Sequence, residues 1–458
     1  MSALQYIESR SPQQPDDVVI TIAAAGDRTV AEATAAARSA QRDWSHAGPA
    51  ARSNALTAAA DRLAANAPEL ADLVVREVGK PIGEAVGEVA RTAAILRYYA
   101  QAVYDEIGEL HASSGRGLLF SQRRPVGVAG LITPWNFPLA IPVWKAAPAL
   151  AHGNAVLLKP APEATACALR LAQLFSGVLP ENIFHVLPGD AQTGRAVIDN
   201  ADAVSFTGSA AVGRHVVRRG ADRGVRVQAE MGGQNASIVL PDADFDAAAA
   251  HVAAAAMGYA GQKCTATSRV IVVGEPVEFT EALTAATEKL VVGDPAESAT
   301  TVGPLITAHA RDHMLAAVAE AGGRVVTGGK KLAGEGWYVA PTIVDRLAPD
   351  APLAREEVFG PLCVILPVGD DATAVKVCND VRYGLATSVF TRDLDRALAV
   401  VDGVDTGLIK VNAPTSGVDF WLPFGGEKDS SYGPREQGKS ARDFYTSVRT
   451  VTIAPAGA

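Results

Sequence analysis

The sequence predicts an α/β protein built on a parallel sheet, and three observations carry that prediction. From residue 126 to residue 218 short apolar runs alternate with stretches of helical spacing, the order that parallel strands and crossover helices require. Glycine, proline and polar residues gather where the apolar runs stop, and sheets of this kind bind ligands outside the carboxyl ends of their strands. At 458 residues the chain exceeds one compact core, so two or three domains are expected.

Taken in order, residues 31–102 have helical apolar spacing with breaks at Gly48-Pro49, Pro68 and Gly79-Lys80-Pro81, which predicts several successive helices. Residues 110–125 are polar and basic, and the alternation over 117–122 suits an exposed arm for subunit contact. Strands follow at 126–132, 155–158, 183–187, 203–206 and 225–229, with helices at 139–150, 164–176, 192–198 and 210–218. An alanine-rich helical run, 246–256, precedes a β-branched run, 270–273, so Cys264 falls on a helix-to-strand junction. Residues 446–453 alternate like an edge strand, which a partner subunit usually covers.

Composition narrows the function. A formal charge of −9 disfavours nucleic-acid and anionic-membrane binding. Cys167, Cys264, Cys363 and Cys378 form no CxxC or Cys/His cluster, so neither structural zinc nor a disulfide framework is expected, and a reducing cytoplasm is the natural home. No leader and no membrane-spanning stretch is expected.

The chemistry-bearing residues lie at the predicted strand ends. Thr133-Pro134-Trp135-Asn136-Phe137-Pro138 holds Asn136 as a rigid amide donor suited to an oxyanion. Lys159 offers a cation for a ribose or phosphate. Phe206-Thr207-Gly208-Ser209 feeds a helix through glycine, a geometry suited to phosphate, although no GxGxxG fingerprint follows a strand. Glu230 stands against Gly232 and Gly233, where desolvation would raise it towards a useful general base. Taken singly, Asn136 is a turn residue, Glu230 an ion-paired one and Cys264 a packed one. A cysteine hydrolase would need an activating histidine, and the nearest, His251, has no supporting arrangement.

Together these motifs, with Glu356-Glu357-Val358-Phe359-Gly360-Pro361 and Pro423-Phe424-Gly425-Gly426, resemble the aldehyde dehydrogenase superfamily in order and spacing from Arg28 to Thr452. The resemblance implies a Rossmann-type parallel-sheet cofactor domain at 1–108 and 127–232 and an α/β catalytic domain at 233–435. It also implies a small β oligomerisation element at 109–126 and 436–458, serving a homodimer or homotetramer, and, with an amino terminus shorter than is typical of the family, the lack of an initial strand pair. It casts Cys264 as the nucleophile, Asn136 as oxyanion donor, Glu230 as the base that hydrolyses a thioester, and Lys145 as a proton-path lysine. Cofactor contacts are implied for Thr133, Pro134, Trp135, Lys159, Glu163 and Gly189, and for Gly208, Ser209, Met231, Gly232, Glu357 and Phe359. No metal is implied.

A glutamate at 230 implies release of a free acid rather than transfer to coenzyme A. Pro162 stands where NAD-preferring relatives often carry glutamate, and Arg195 is available to a phosphate, so NAD and NADP both remain open. The segments 140–145, 261–269 and 411–438 look most like the α-ketoglutaric semialdehyde dehydrogenase branch, and Trp144 before Lys145 argues against the succinic semialdehyde branch. The implied aldehyde lining is Phe137, Trp144, Lys263, Thr265, Phe420 and Phe424. Lys263 is either an anchor for a carboxylate or phosphonate or a solvated loop lysine. Another small aromatic or phosphono aldehyde, and a catalytically silent binding protein, are the alternatives.

Overall fold

Two strands open the chain: β1 (Tyr6–Arg10) and β2 (Val18–Ala23) pair antiparallel. The expectation that an initial strand pair is missing is therefore corrected. The pair is held by alternation too short to stand out in sequence, with Ile7 and Ser9 buried and their neighbours exposed. The computed structural model describes residues 5–456, so the outermost residues of the expected first and last segments lie outside the described chain.

The helical stretch divides at the expected breakers into α1 (Asp27–His46), α2 (Pro49–Ala65), α3 (Ala67–Val78) and α4 (Ile82–Ala102). Gly79 ends α3 in the left-handed region at φ 66°, and a Cβ there would lie 2.8 Å from Pro12 and Pro304. After β3 (Leu110–His111) and β4 (Leu118–Pro125) come β5 (Val128–Ile132), α5 (Ala140–Ala151), β6 (Ala155–Lys159), α6 (Thr165–Phe175) and β7 (Phe184–Val186). Then follow α7 (Ala191–Asn200), β8 (Ala203–Thr207), α8 (Ala210–Asp222) and β9 (Arg226–Glu230).

These strands form a parallel sheet in the order β9-β8-β5-β6-β7. The chain runs outward from β5 in one direction and returns to the other side of it. The crevice between the carboxyl ends of β5 and β8 is thus the switch point where a ligand is expected. All five residues of β5 are buried, as a parallel strand covered on both faces requires.

The second sheet uses β10 (Asn235–Val239), β11 (Thr267–Val273) reached through α9 (Phe245–Met257), β12 (Arg324–Thr327), β13 (Thr342–Asp345) and β14 (Leu362–Val368). Beyond β15 (Tyr383–Gly384), β16 (Ala386–Phe390) and β17 (Leu408–Val411) complete it. Its order is β12-β13-β14-β11-β10-β16-β17, antiparallel only at β12 with β13. β15 pairs separately with β18 (Glu427–Lys428). Each large sheet has its own apolar core. The short β19 (Ser431–Tyr432) crosses back and pairs antiparallel with β9, setting Ser431 opposite Glu230. β20 (Thr446–Ile453) pairs with β4 from Thr446↔Pro125 to Ile453↔Leu118 and, with β3, makes the arm. Among the described residues no helix is long and apolar enough to cross a membrane.

One ion pair joins these units out of reach of water. Lys80, between α3 and α4, bonds Glu88 of α4, and both side chains are essentially unexposed. Glu88 Oε1 also accepts the backbone N–H groups of Leu139 (2.9 Å) and Ala140 (3.0 Å), at the first turn of α5. Lys80 Nζ lies 3.8 Å from the centre of the Phe137 ring and 4.7 Å from that of Tyr259.

Lys80→Met should therefore destabilise the protein by about 3–5 kcal/mol, because Glu88 is left buried without its cation. Lys80→Met with Glu88→Gln should recover part of that loss, since the Gln carbonyl still accepts the α5 N–H groups. Thermal midpoints of the two variants decide the matter, and a single variant at least as stable as the double would remove the charge pair from this role.

Candidate active site

Cys264 follows a backbone that only tight packing tolerates. Tyr259, Ala260 and Gly261 have φ values of 53°, 54° and 66°, three consecutive left-handed residues between α9 and the cysteine. At Gly261 a Cβ would fall 2.0 Å from the carbonyl oxygen of Gly360. Gln262 anchors the turn: its amide nitrogen donates to Pro304 (3.2 Å) and Tyr259 (3.3 Å), and its Oε1 accepts from Ile306 N–H (2.9 Å). On the far side, Asn235 Nδ2 donates at 2.8 Å to the carbonyls of both Cys264 and Ala266.

Asn136 reaches the same turn from the end of β5. Its Nδ2 donates to the Gln262 carbonyl at 3.0 Å, which fixes the orientation of the amide. An amide nitrogen carries two hydrogens, so a second donor remains for a ligand.

Two cavities meet at Cys264. A cleft of about 790 Å³, mouth included, runs along the switch point past Pro134, Trp135 and Asn136, then Gly208, Ser209 and Met231, to Gly232, Glu357 and Phe359. A second cavity, of about 1120 Å³ with its mouth, is lined by Phe137, Trp144, Lys263, Thr265 and Phe424, by one face of α4, and by the loop before Phe420. Cys264 is the one lining residue they share.

The cleft suits a dinucleotide by its own geometry. Gly208 and Gly232 line it, and neither tolerates a side chain: a Cβ on Gly208 would strike the Phe206 ring at 2.5 Å, and one on Gly232 would lie 1.9 Å from Glu357 Oε2. Thr133 Oγ1, Asn136 Oδ1 and Thr207 Oγ1 are buried with no partner, polar atoms that a ligand can satisfy. Ser209 caps α8, whose amino end opens on the cleft.

Carboxyl groups surround the thiol. Burial pushes the Cys264 thiol up to about 12, and Glu357 and then Glu230 add to the push. Burial raises Glu357 to about 7, against the Gly233 N–H and Arg382. Glu230 is held well above the usual carboxylate range, first by burial and then by Glu436, while Ser431, Lys145 and Arg435 pull the other way. Glu230 Oε2 accepts from Ser431 Oγ, and Oε1 has no partner. Lys145 Nζ is bonded to Glu436 and donates to Ser205 Oγ at 2.8 Å.

The Aldehyde dehydrogenase family profile matches residues 1–451. The chain belongs to the aldehyde dehydrogenase family. It is 38% identical to an α-ketoglutaric semialdehyde dehydrogenase of Bacillus subtilis, over 98% of this chain and 95% of that one. It is also 35% identical to a betaine aldehyde dehydrogenase of Rhizobium leguminosarum, over 98% and 93%. Its fold matches the crystal structure of an NAD-dependent aldehyde dehydrogenase from Sinorhizobium meliloti with a TM-score of 0.95 and 33% identity, covering 99% of this chain and 93% of that one. This chain is accordingly an oxidoreductase acting on the aldehyde group.

Within this dehydrogenase most of the singled-out residues converge on Cys264, and some stand apart. Lys159, Glu163 and Gly189 lie further along the same sheet edge, where burial lowers Lys159 to about 8 while Glu163 and Asp190 pull it back up. Phe420 is not among the cavity-lining residues and packs edge-on against Tyr98 and Trp421. Lys263 is not solvated: it is paired with Glu84 at 2.9 Å, so its charge is already met. Sequence reasoning missed Gln262, Glu436, and the α4 residues Glu84, Glu88 and Arg91. The spacing of those three on one helical face was the available signal.

A thiol raised this far is protonated at neutral pH, and its thiolate fraction should rise about tenfold per pH unit. Alkylation of Cys264 by iodoacetamide, followed by mass spectrometry on the enzyme alone, should therefore accelerate steadily from pH 7 to 9. A plateau within that range would mean a thiolate already formed at rest.

Proposed function

We propose that this dehydrogenase oxidises a carboxylate-bearing semialdehyde, α-ketoglutaric semialdehyde, to the free acid with NAD. The observation that carries the reading is the position of Cys264 as the one residue common to the dinucleotide-shaped cleft and the second cavity. The 38% identity to a relative named for this substrate supports it.

Cys264 Sγ bonds to the aldehyde carbon as its proton passes to a neighbouring carboxylate, for which Glu230, with Oε1 unpartnered, is the candidate. The free N–H of Asn136 and the backbone N–H of Cys264 hold the resulting oxyanion. A nicotinamide dinucleotide bound in the cleft supplies the acceptor for the hydride that leaves this carbon, and a thioester remains on Cys264. Once that first proton has left Glu230 for solvent, the carboxylate takes a proton from water, the hydroxide adds to the thioester carbon, and the thiolate departs, leaving a carboxylic acid. Per turnover, aldehyde, water and oxidised dinucleotide become acid, reduced dinucleotide and released protons. The buried Lys145 and Glu436 pair beside Glu230 offers a route for its proton.

Two carboxylates, Glu163 and Asp190, act on Lys159, and a ribose 2′-phosphate would be repelled there, which favours NAD over NADP. The outer edge of β20 carries no strand partner among the described residues, and Leu118, Val448 and Ile453 are exposed on the arm. Both features favour a homodimer or homotetramer joined through it. Light scattering on the purified protein should give two or four subunits; a monomer would refute this.

Cys264→Ala should lower NAD reduction by more than about 1000-fold while NAD still binds. Glu230→Gln should slow deacylation by roughly 100- to 10,000-fold, so that acyl-enzyme accumulates and is visible by intact mass. Full turnover by the first variant, or an unchanged steady state without trapped acyl-enzyme in the second, would sink the corresponding role.

A further inference from the structure

Among the described residues, one positive charge that lines the second cavity has no ion-pair partner. Helix α4 turns Glu84, Gly87, Glu88 and Arg91 toward it, positions that share one face at helical spacing. Glu84 is paired with Lys263 and Glu88 with Lys80, so these four charges cancel. Arg91 is different. Among the described residues its side chain has a single hydrogen bond, from a guanidinium nitrogen to the Val418 carbonyl, and no carboxylate within ion-pair distance. The acid that acts on it most, Asp419, belongs to an exposed residue.

A guanidinium presents five N–H donors in a planar fork matched to a carboxylate, and the bond to Val418 uses one. Space is left in front of it. A Cβ on Gly87 would meet nothing within 4 Å, and one on Gly417, across the cavity, would meet only Lys410 Nζ at 3.9 Å. Lys410 in turn holds the carbonyls of Ser416 and Gly417, which keeps that loop against the cavity. The remaining wall is aromatic, with Trp144 tilted on Phe424 at 5.7 Å. Such a cavity accepts an apolar chain with one anionic end.

We propose that Arg91 is the anion subsite of the aldehyde cavity, holding the terminal carboxylate of a short semialdehyde whose carbonyl lies at Cys264. The inference rests on Cys264 being the nucleophile and adds the residue that selects among aldehydes. A substrate with a cationic end is disfavoured, because both acids in the cavity are already paired.

Two measurements separate this subsite from the dehydrogenase reading. The first needs no turnover: α-ketoglutarate, the expected product, should protect Cys264 of the wild-type enzyme from iodoacetamide. Protection by the same concentration should be lost in Arg91→Met and partly restored in Arg91→Lys. The second compares substrates. The ratio of kcat/KM for α-ketoglutaric semialdehyde to that for pentanal should fall roughly 10- to 100-fold in Arg91→Met, the loss expected for a charged hydrogen-bonded contact. Equal protection of wild type and Arg91→Met, an unmoved ratio, or a wild-type preference for betaine aldehyde or phosphonoacetaldehyde would overturn the subsite. Absence of NAD reduction with every aldehyde would instead strike the proposed oxidation, and the protection assay would still decide on Arg91.

Discussion

A lysine and a glutamate that never meet water fix the relation between the parts of this enzyme that must act together. Lys80 follows α3, Glu88 lies on α4, and the Glu88 carboxylate takes the N–H groups that begin α5. Two ionised groups brought out of water cost several kcal/mol each unless their remaining bonding capacity is filled. Here the filling comes from three separate segments: the α5 amino end, the Phe137 ring and the Tyr259 ring. Phe137 is the neighbour of Asn136, and Tyr259 begins the turn that leads to Cys264. Movement of either segment would leave charge unsatisfied in a dry interior. The penalty for moving is what holds Asn136 and Cys264 at a constant separation.

That constraint makes the strained backbone intelligible. Three successive left-handed residues are uncommon, and two of them, Tyr259 and Ala260, are not glycine. They persist because Tyr259 is buried and donates through its hydroxyl to the Val78 carbonyl, and because Gln262 satisfies every polar atom of its own side chain in the next step of the turn. Phe359, at φ 57°, adds a fourth such residue on the facing segment, where Gly360 presses on Gly261. Strain of this kind marks places where surrounding packing overrules local preference, and here both segments border Cys264.

The same division explains what the sequence made legible. The doubly wound sheet was legible because each strand is a short apolar run closed by glycine or proline, and Cys264, Asn136 and Glu357 were legible because they stand in motifs. The β1 and β2 pair was not, since two short alternating stretches carry little apolar signal. Nor was the state of Lys263: an acid 179 residues earlier in the chain neutralises it, and no local pattern announces such a partner. Arg91 was hidden for the opposite reason. On a helical surface an arginine near two glutamates reads as a solvated face, and only the fold reveals that both glutamates are spoken for elsewhere. Glu436 sat inside a motif whose spacing did not say that it would come to rest beside Lys145 and Glu230.

The charge arrangement around the sulfur follows from these placements. Glu357, Glu230 and Glu436 all act against a thiolate at Cys264, so at rest the cysteine holds its proton. A protonated thiol is slow to oxidise and slow to meet stray electrophiles, which suits a cysteine reached from two cavities. Reactivity must then come from a change in the surroundings. Glu357, raised to about 7 by burial, lies against Gly232 within the cleft. Glu230 is held above the usual carboxylate range by burial and by Glu436, with Oε1 unpartnered. Glu357 and Glu230 both act on the thiol, so the pH at which the enzyme works best belongs to the cluster rather than to any one member.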